Sequence, residues 1–147
     1  MNKNDAIEKI TEVLNESKVG VCSTAKDNVP NSRYMWFYND GLTLYAKTNE
    51  KSPKYEEILE NPIVHILLGY NDGNNHDFVE ILGDVEITDD QEIIDWMWED
   101  LDSVYFDSPK NPDLTALKIT PRKMKFMDDS KEHHTFEVDL EGDENSW

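Results

Sequence analysis

Only one cysteine, Cys22, occurs in the 147 residues, so an internal disulfide is impossible and a buried free thiol in a reducing compartment is the simplest state. Long apolar runs are also missing. No stretch approaches the roughly 20 residues that a membrane span needs, and the amino-terminal MNKNDAIEKITEV is amphipathic and charged, without an apolar signal core. Both absences lead to the expectation of a cytoplasmic protein. Cations are scarce, with 14 Lys and Arg against 32 Asp and Glu and a formal net charge of -18. Within Asn71 to Asp113, fourteen acidic residues accompany a single cation, Lys110. Phosphate backbones and anionic lipid headgroups are bound through Lys and Arg, so nucleic acid and membrane surfaces are not expected partners. The acidic stretch reads as a solvated face, with contact to a basic protein as the alternative.

Several kinds of chemistry lack their motifs. There is no nucleophile elbow, no Walker phosphate loop and no paired-cysteine metal motif. His133 and His134 are adjacent, and in an extended segment they point to opposite faces, which makes a poor chelating pair. The stretch Asn71 to Asp77 lacks the Gly and Glu spacing of a calcium loop. No metal site is therefore expected. His65 lies in an apolar run and reads as an interior histidine, and His76 reads as a loop residue.

What is present is one domain, residues 1–147, with 37% hydrophobic and 10% aromatic residues, enough for a core. Ile7, Ile10, Val13 and Leu14 recur at helical spacing, which predicts a surface helix over Asp5 to Ser17, so that residues 1–17 form an amino-terminal helical segment. Short β-type runs follow at Val19 to Thr24, Asn31 to Tyr38, Leu42 to Thr48, Ile63 to Tyr70 and Asp77 to Ile87. Thr88-Asp89-Asp90-Gln91 has the form of a capping box before an apolar face of Ile93, Ile94, Met97, Trp98 and Leu101. Strands are expected again at Leu114 to Thr120, Met124 to Met127 and Thr135 to Leu140, with residues 128–147 a partly loose extension. Many short antiparallel strands and few helices predict a mainly β protein, a small barrel with flanking helices.

Against the acidic background, Lys18 to Lys54 carries six Lys or Arg and only three Asp or Glu, which suits a small anion such as phosphate. Asp40-Gly41 reads as a two-residue type I′ hairpin turn. That register sets Phe37 opposite Leu44, Met35 opposite Ala46 and Arg33 opposite Thr48, all on one face. Ser52-Pro53 is a helix start, predicting a helix from Pro53 to Leu59 whose free N–H groups favour an anion. Lys51 and Lys54 crowd that start while Glu56, Glu57 and Glu60 follow, the reverse of what the helix dipole favours. A phosphate bound between Arg33, Thr48, Ser52 and Lys54 would account for the inversion; solvated surface charges are the alternative. The opposite strand face carries Tyr34, Trp36, Tyr38, Tyr45 and Lys47, fit for core or interface packing or for stacking on a planar ring.

The segments VGVCST, NSRYMWFYNDGLTLY, KTNEKSPK, EILENPIVHILLGY and VEILGDVEI, in this order, resemble the pyridoxamine 5′-phosphate oxidase-like flavoproteins, and among them the general stress protein 26-like branch. The similarity runs from the first helix to about Pro121. It implies an FMN-binding split barrel, a six-stranded antiparallel sheet of Greek-key type. It also implies that Arg33 binds the FMN phosphate, that Tyr34, Met35 and Trp36 edge the isoalloxazine ring, and that Thr48, Ser52 and Lys54 complete the clamp beside Lys47. Family members are homodimers with flavin sites at the interface. Three features depart from the oxidases proper: Phe78 stands where they have a glutamine, Tyr38 where they have a lysine, and Lys131 to Trp147 has no counterpart of their basic carboxy-terminal motif. Pyridoxamine phosphate oxidation does not carry over, and no acid or base is nominated. The expectation is a cytoplasmic, homodimeric, FMN-dependent oxidoreductase of unidentified substrate. The alternatives are a non-catalytic flavin-binding or stress-protective module, and the same barrel holding haem or a deazaflavin.

Overall fold

The computed structural model describes residues 2–71, 75–128 and 135–140. Helix α1 spans Lys3–Glu16; the Asn2 side chain caps it by accepting from the Asp5 N–H at 2.9 Å. Its buried stripe, Ala6, Ile10, Val13 and Leu14, has the helical spacing expected of a surface helix laid on a core. Strands β1 (Val19–Lys26) and β2 (Val29–Trp36) form a hairpin. Its two turn residues, Asp27 and Asn28, take φ of 51° and 66°, as a type I′ turn requires.

The next turn departs from expectation. Strands β3 (Tyr38–Asp40) and β4 (Thr43–Asn49) pair with Asp40 opposite Thr43, so Gly41 and Leu42 are the turn residues. Gly41 alone takes positive φ, 60°, and Asp40 stays in the strand. Glycine adopts that conformation without cost and takes the first turn position, so the turn begins one residue later. Phe37, 2% exposed, then plunges into the core and separates β2 from β3. The proposed Arg33–Thr48 pair is lost as a result: Arg33 lies opposite Cys22 of β1, and Thr48 opposite Thr115 of a later strand.

Helix α2 (Pro53–Glu60) starts at Ser52-Pro53 as read, although the Ser52 hydroxyl makes no cap bond. Strands β5 (Ile63–Asn71) and β6 (Asn75–Thr88) follow. Helix α3 (Gln91–Met97) is capped by Asp90, which accepts from the Glu92 N–H at 3.0 Å, and not by a Thr88–Gln91 box. Thr88 instead accepts from the Asp90 N–H, and Gln91 turns outward to Asp95 and the Pro109 carbonyl. A reciprocal box does occur at Glu99 and Asp102, opening a 3-10 turn over Asp100–Val104. Ile94 and Met97 are buried, but Leu101 of the expected apolar face is 77% exposed. Strand β7 (Leu114–Met127) runs through Pro121 without ending, because a register shift opposite Leu82 and Gly83 absorbs the proline. A Cβ on Gly83 would sit 2.8 Å from Ile119 Cγ2, so the close strand approach there needs glycine. Strand β8 (Thr135–Asp139) pairs with β7.

All eight strands form one antiparallel sheet in the order β2-β1-β5-β6-β7-β4-β3, with β8 on β7. The expected mainly β architecture with flanking helices holds. The six-stranded barrel does not: among the described residues there are eight strands and no ladder joins β2 to β3, so the sheet is open. Alternate residues such as Cys22, Ile66, Ile81, Leu44 and Ile119 face one core that α1 covers. His65 is half-buried, its Nε2 3.5 Å from Glu80 Oε1, so it is not the interior histidine expected. His76 belongs to β6 rather than a loop and stacks on Tyr70 at 4.7 Å. His133 and His134 lie outside the described residues. Among the described residues no helix is long and apolar enough to cross a membrane, and no cluster of potential metal ligands occurs.

Candidate functional site

Where the sheet is open, between β2 and β4, lies a cleft of about 320 Å³. Tyr34, Met35 and Trp36 of β2 form one wall and Lys47, Thr48 and Asn49 of β4 the other; Lys54 of α2 closes one end, and Asp102, Tyr105 and Phe106 close the other. Six of the eight expected cofactor-binding residues, Tyr34, Met35, Trp36, Lys47, Thr48 and Lys54, thus share one cavity. Arg33 and Ser52 stand beside Lys54 rather than on the cleft surface. Their meeting does not come from the hairpin register expected; it comes from the curl of the sheet and the start of α2.

Thr48 is 3% exposed, and its hydroxyl Oγ1 is buried without a hydrogen-bond partner among the described residues. Buried hydroxyls nearly always have partners, and an orphaned one costs about 1–3 kcal/mol. Lys54 lies half-buried with Nζ 3.4 Å from Ser52 Oγ. Burial pulls its pKa down, and the nearby positive charge of Arg33 pulls it further, with Cys22 opposing weakly. A half-buried ammonium pressed by a second cation, in a cleft that also holds an unused donor, is an arrangement that an anion relieves.

Arg33 is already partly engaged. Its Nη1 donates to Thr24 Oγ1 at 2.8 Å and to the Cys22 carbonyl at 3.4 Å, and its Nη2 lies 3.4 Å from Glu57 Oε2. Glu57 also accepts from the Thr24 hydroxyl and from Asn31 Nδ2. The Thr24 hydrogen bond first, then Arg33, hold its carboxyl below the usual range despite burial. The reversed charge order along α2 therefore has a partial account within the chain: Glu57 meets Arg33, Glu60 meets Lys26 at 3.5 Å, and Lys51 meets Asp113 at 3.1 Å. Lys54 is left at the helix start facing the cleft. Burial also pushes the Cys22 thiol up, so it is a core residue and not a nucleophile.

Lys47 is tied down. Its ammonium donates to Tyr38 Oη at 3.0 Å, the Met97 carbonyl at 2.5 Å and Asp102 Oδ2 at 2.5 Å, and sits 4.8 Å from the Tyr38 ring centre. Burial would depress its pKa, but the bonds to Asp102 and Tyr38 prevail and raise it. Lys47 thus forms cleft wall and holds the 3-10 turn against the strand. On the aromatic face, Tyr45 and Tyr38 pack against Trp96 at 5.3 and 6.0 Å, whereas Tyr34 is 79% exposed.

Sequence reasoning missed Asn49, Asp102, Tyr105 and Phe106, together with the Thr24–Glu57 pair behind Arg33. Tyr105-Phe106, two aromatics ending an acidic stretch, was the available signal for the far end of the cleft.

Residues 6–128 match the family described as Pyridoxamine 5′-phosphate oxidase. General stress protein 26 of Bacillus subtilis (strain 168) is 40% identical over 128 residues, covering 86% of this chain and 91% of that protein. The crystal structure of General Stress Protein 26 from Bacillus anthracis str. Sterne superposes with a TM-score of 0.79 at 27% identity, over 90% of this chain and 98% of that one. A heme binding protein from Mycobacterium smegmatis shares the fold at 10% identity, with a TM-score of 0.75 over 91% of this chain and 57% of that one. The chain therefore belongs to the pyridoxamine 5′-phosphate oxidase family, in its general stress protein 26-like branch.

Proposed function

We propose that this protein binds FMN in the β2–β4 cleft and serves as an FMN-dependent oxidoreductase whose substrate is not pyridoxamine phosphate. The observation that carries the reading is that Thr48, whose buried hydroxyl has no partner among the described residues, and Lys54 line the same cleft. Together they supply a donor and a cation for a phosphate, and Arg33 stands next to Lys54. Tyr34, Met35 and Trp36 offer an apolar and aromatic edge for a planar ring.

Bound FMN would supply hydride and single-electron chemistry. The chain's own part is to hold and orient it. Lys54, Thr48 and Arg33 hold the headgroup, β2 orients the ring edge, and the Lys47–Asp102 tether keeps the 3-10 turn beside the cleft.

A second copy of the chain is proposed to complete the site. Val19, Tyr34, Leu67 and Tyr70 expose an apolar strip on the outer face of β2-β1-β5, and Tyr34 also belongs to the cleft, so a partner seated on the strip would border the flavin.

The test is the absorption spectrum of purified protein, with and without added FMN, and identification of any released cofactor by mass. A colourless protein that takes up no FMN ends the flavin reading. Reduction by NADH or NADPH followed by turnover with an acceptor separates an enzyme from a passive flavin carrier.

A further inference from the structure

Behind the cleft, Arg33 is held by a closed set of side chains from three elements. Thr24 of β1 is 3% exposed and takes Arg33 Nη1 on its oxygen at 2.8 Å. A hydroxyl has one proton to give, and Thr24 gives it to Glu57 Oε2 of α2. With that proton committed, the Thr24 oxygen faces Arg33 only as an acceptor. Glu57 is fixed in turn by Asn31 Nδ2 of β2, at 2.8 Å on its other oxygen.

Glu57 could instead be a competitor that neutralises Arg33, and the distances decide between the roles. A full charge-assisted pair sits at about 2.7–2.9 Å, whereas Arg33 Nη2 and Glu57 Oε2 are 3.4 Å apart. The close contacts of Glu57 are with the neutral donors Thr24 and Asn31. The carboxylate therefore orients Thr24 through its closest contacts and pairs with Arg33 at the longer distance.

We propose that Glu57 and Thr24 are positioning residues that aim Arg33, together with Lys54, at an anionic headgroup, so that the site selects phosphorylated ligands over their unphosphorylated counterparts. This rests on the flavin-phosphate reading above and adds the source of its selectivity. Riboflavin, which is FMN without the phosphate, is the matching probe.

Wild type, Thr24→Val, Thr24→Ser and Glu57→Ala are each titrated with FMN and with riboflavin, following flavin fluorescence. Thr24→Val is nearly isosteric and keeps the buried volume, so it remains informative if Glu57→Ala unfolds. The expected result is FMN binding weaker by about tenfold in Thr24→Val and Glu57→Ala, riboflavin binding within about twofold of wild type, and FMN binding restored by Thr24→Ser. Equal losses for both flavins, or unchanged FMN binding, overturn the proposal; tighter FMN binding by Glu57→Ala overturns it in favour of a competing carboxylate. If wild type takes neither flavin, the FMN reading fails separately, and the same variants are titrated with inorganic phosphate by phosphorus NMR line width. Wild type binding phosphate no better than Thr24→Val then overturns the positioning role as well.

Discussion

Lys47 and Asp102, fifty-five positions apart, meet at 2.5 Å where β4 faces the 3-10 turn, and with the Lys47 bond to the Met97 carbonyl this contact ties the turn to the strand. Asp102→Asn removes its charge and is expected to destabilise the fold by about 1–3 kcal/mol. Lys47→Met should do the same, with a pH signature. The Lys47 pKa is raised in the fold above its ordinary 10.5. The stabilisation is thus fully present below the ordinary lysine value and fades as pH rises through the raised one. Denaturant midpoints of wild type and Lys47→Met should be well separated at neutral pH and converge in strong alkali. A gap that stays constant would show that the pair contributes packing only.

Thr48→Val should separate stability from binding. The valine fills the same volume and removes a buried hydroxyl that has no partner. The ligand-free protein should become more stable by about 1 kcal/mol, and FMN affinity should fall by about tenfold. Chemical denaturation and flavin titration of one preparation measure both. Loss of stability would mean that the hydroxyl is already satisfied without a ligand.

What could be read in the sequence follows the range of the forces involved. The α1 stripe, the Ser52-Pro53 start and most of the short β runs are set by neighbours a few residues away and appear as read, whereas the run at Asn31 to Tyr38 breaks at Phe37 and those at Leu114 to Thr120 and Met124 to Met127 join in one strand. The Asp40-Gly41 turn failed because two turn types fit the same dipeptide, and the choice is made by where Phe37 finds the core. The helix start at Thr88 failed because Asp90 is an equally good cap two residues on. The cleft was half legible. Residues on β2, β4 and α2 were found, whereas Asp102 is brought to the cleft by Lys47, Phe106 by packing on the Ile94–Met97–Leu114 cluster, and Glu57 meets Thr24 across thirty-three positions. No local pattern encodes either meeting.

Lys54 predicts proton uptake on binding. Its pKa is lowered by burial and by Arg33, so in the window between that lowered value and the ordinary 10.5 part of the population is neutral. An anion beside it favours the charged form and draws a proton from solvent. Calorimetric FMN titrations in buffers of different ionisation enthalpy should show net uptake in that window, where the phosphate monoester is already fully dianionic. Lys54→Met should abolish the uptake. Uptake that persists in the variant would assign the proton to another group.

The apolar strip predicts the assembly. Leu67 is 39% exposed and Tyr70 57%, and they lie with Val19 and Tyr34 on the sheet face turned away from the α1-covered core. A chain of net charge -18 would repel its copy everywhere else, so contact is favoured where the surface is uncharged. Leu67→Glu places a carboxylate in the strip without touching the core, since the side chain points outward between the buried Ile66 and Leu68. The variant should remain folded by circular dichroism and sediment as a monomer where wild type sediments as a dimer. Because Tyr34 belongs both to the strip and to the cleft, FMN affinity should fall with the dimer. A monomeric Leu67→Glu variant that binds FMN as tightly as wild type would leave the flavin site within a single chain.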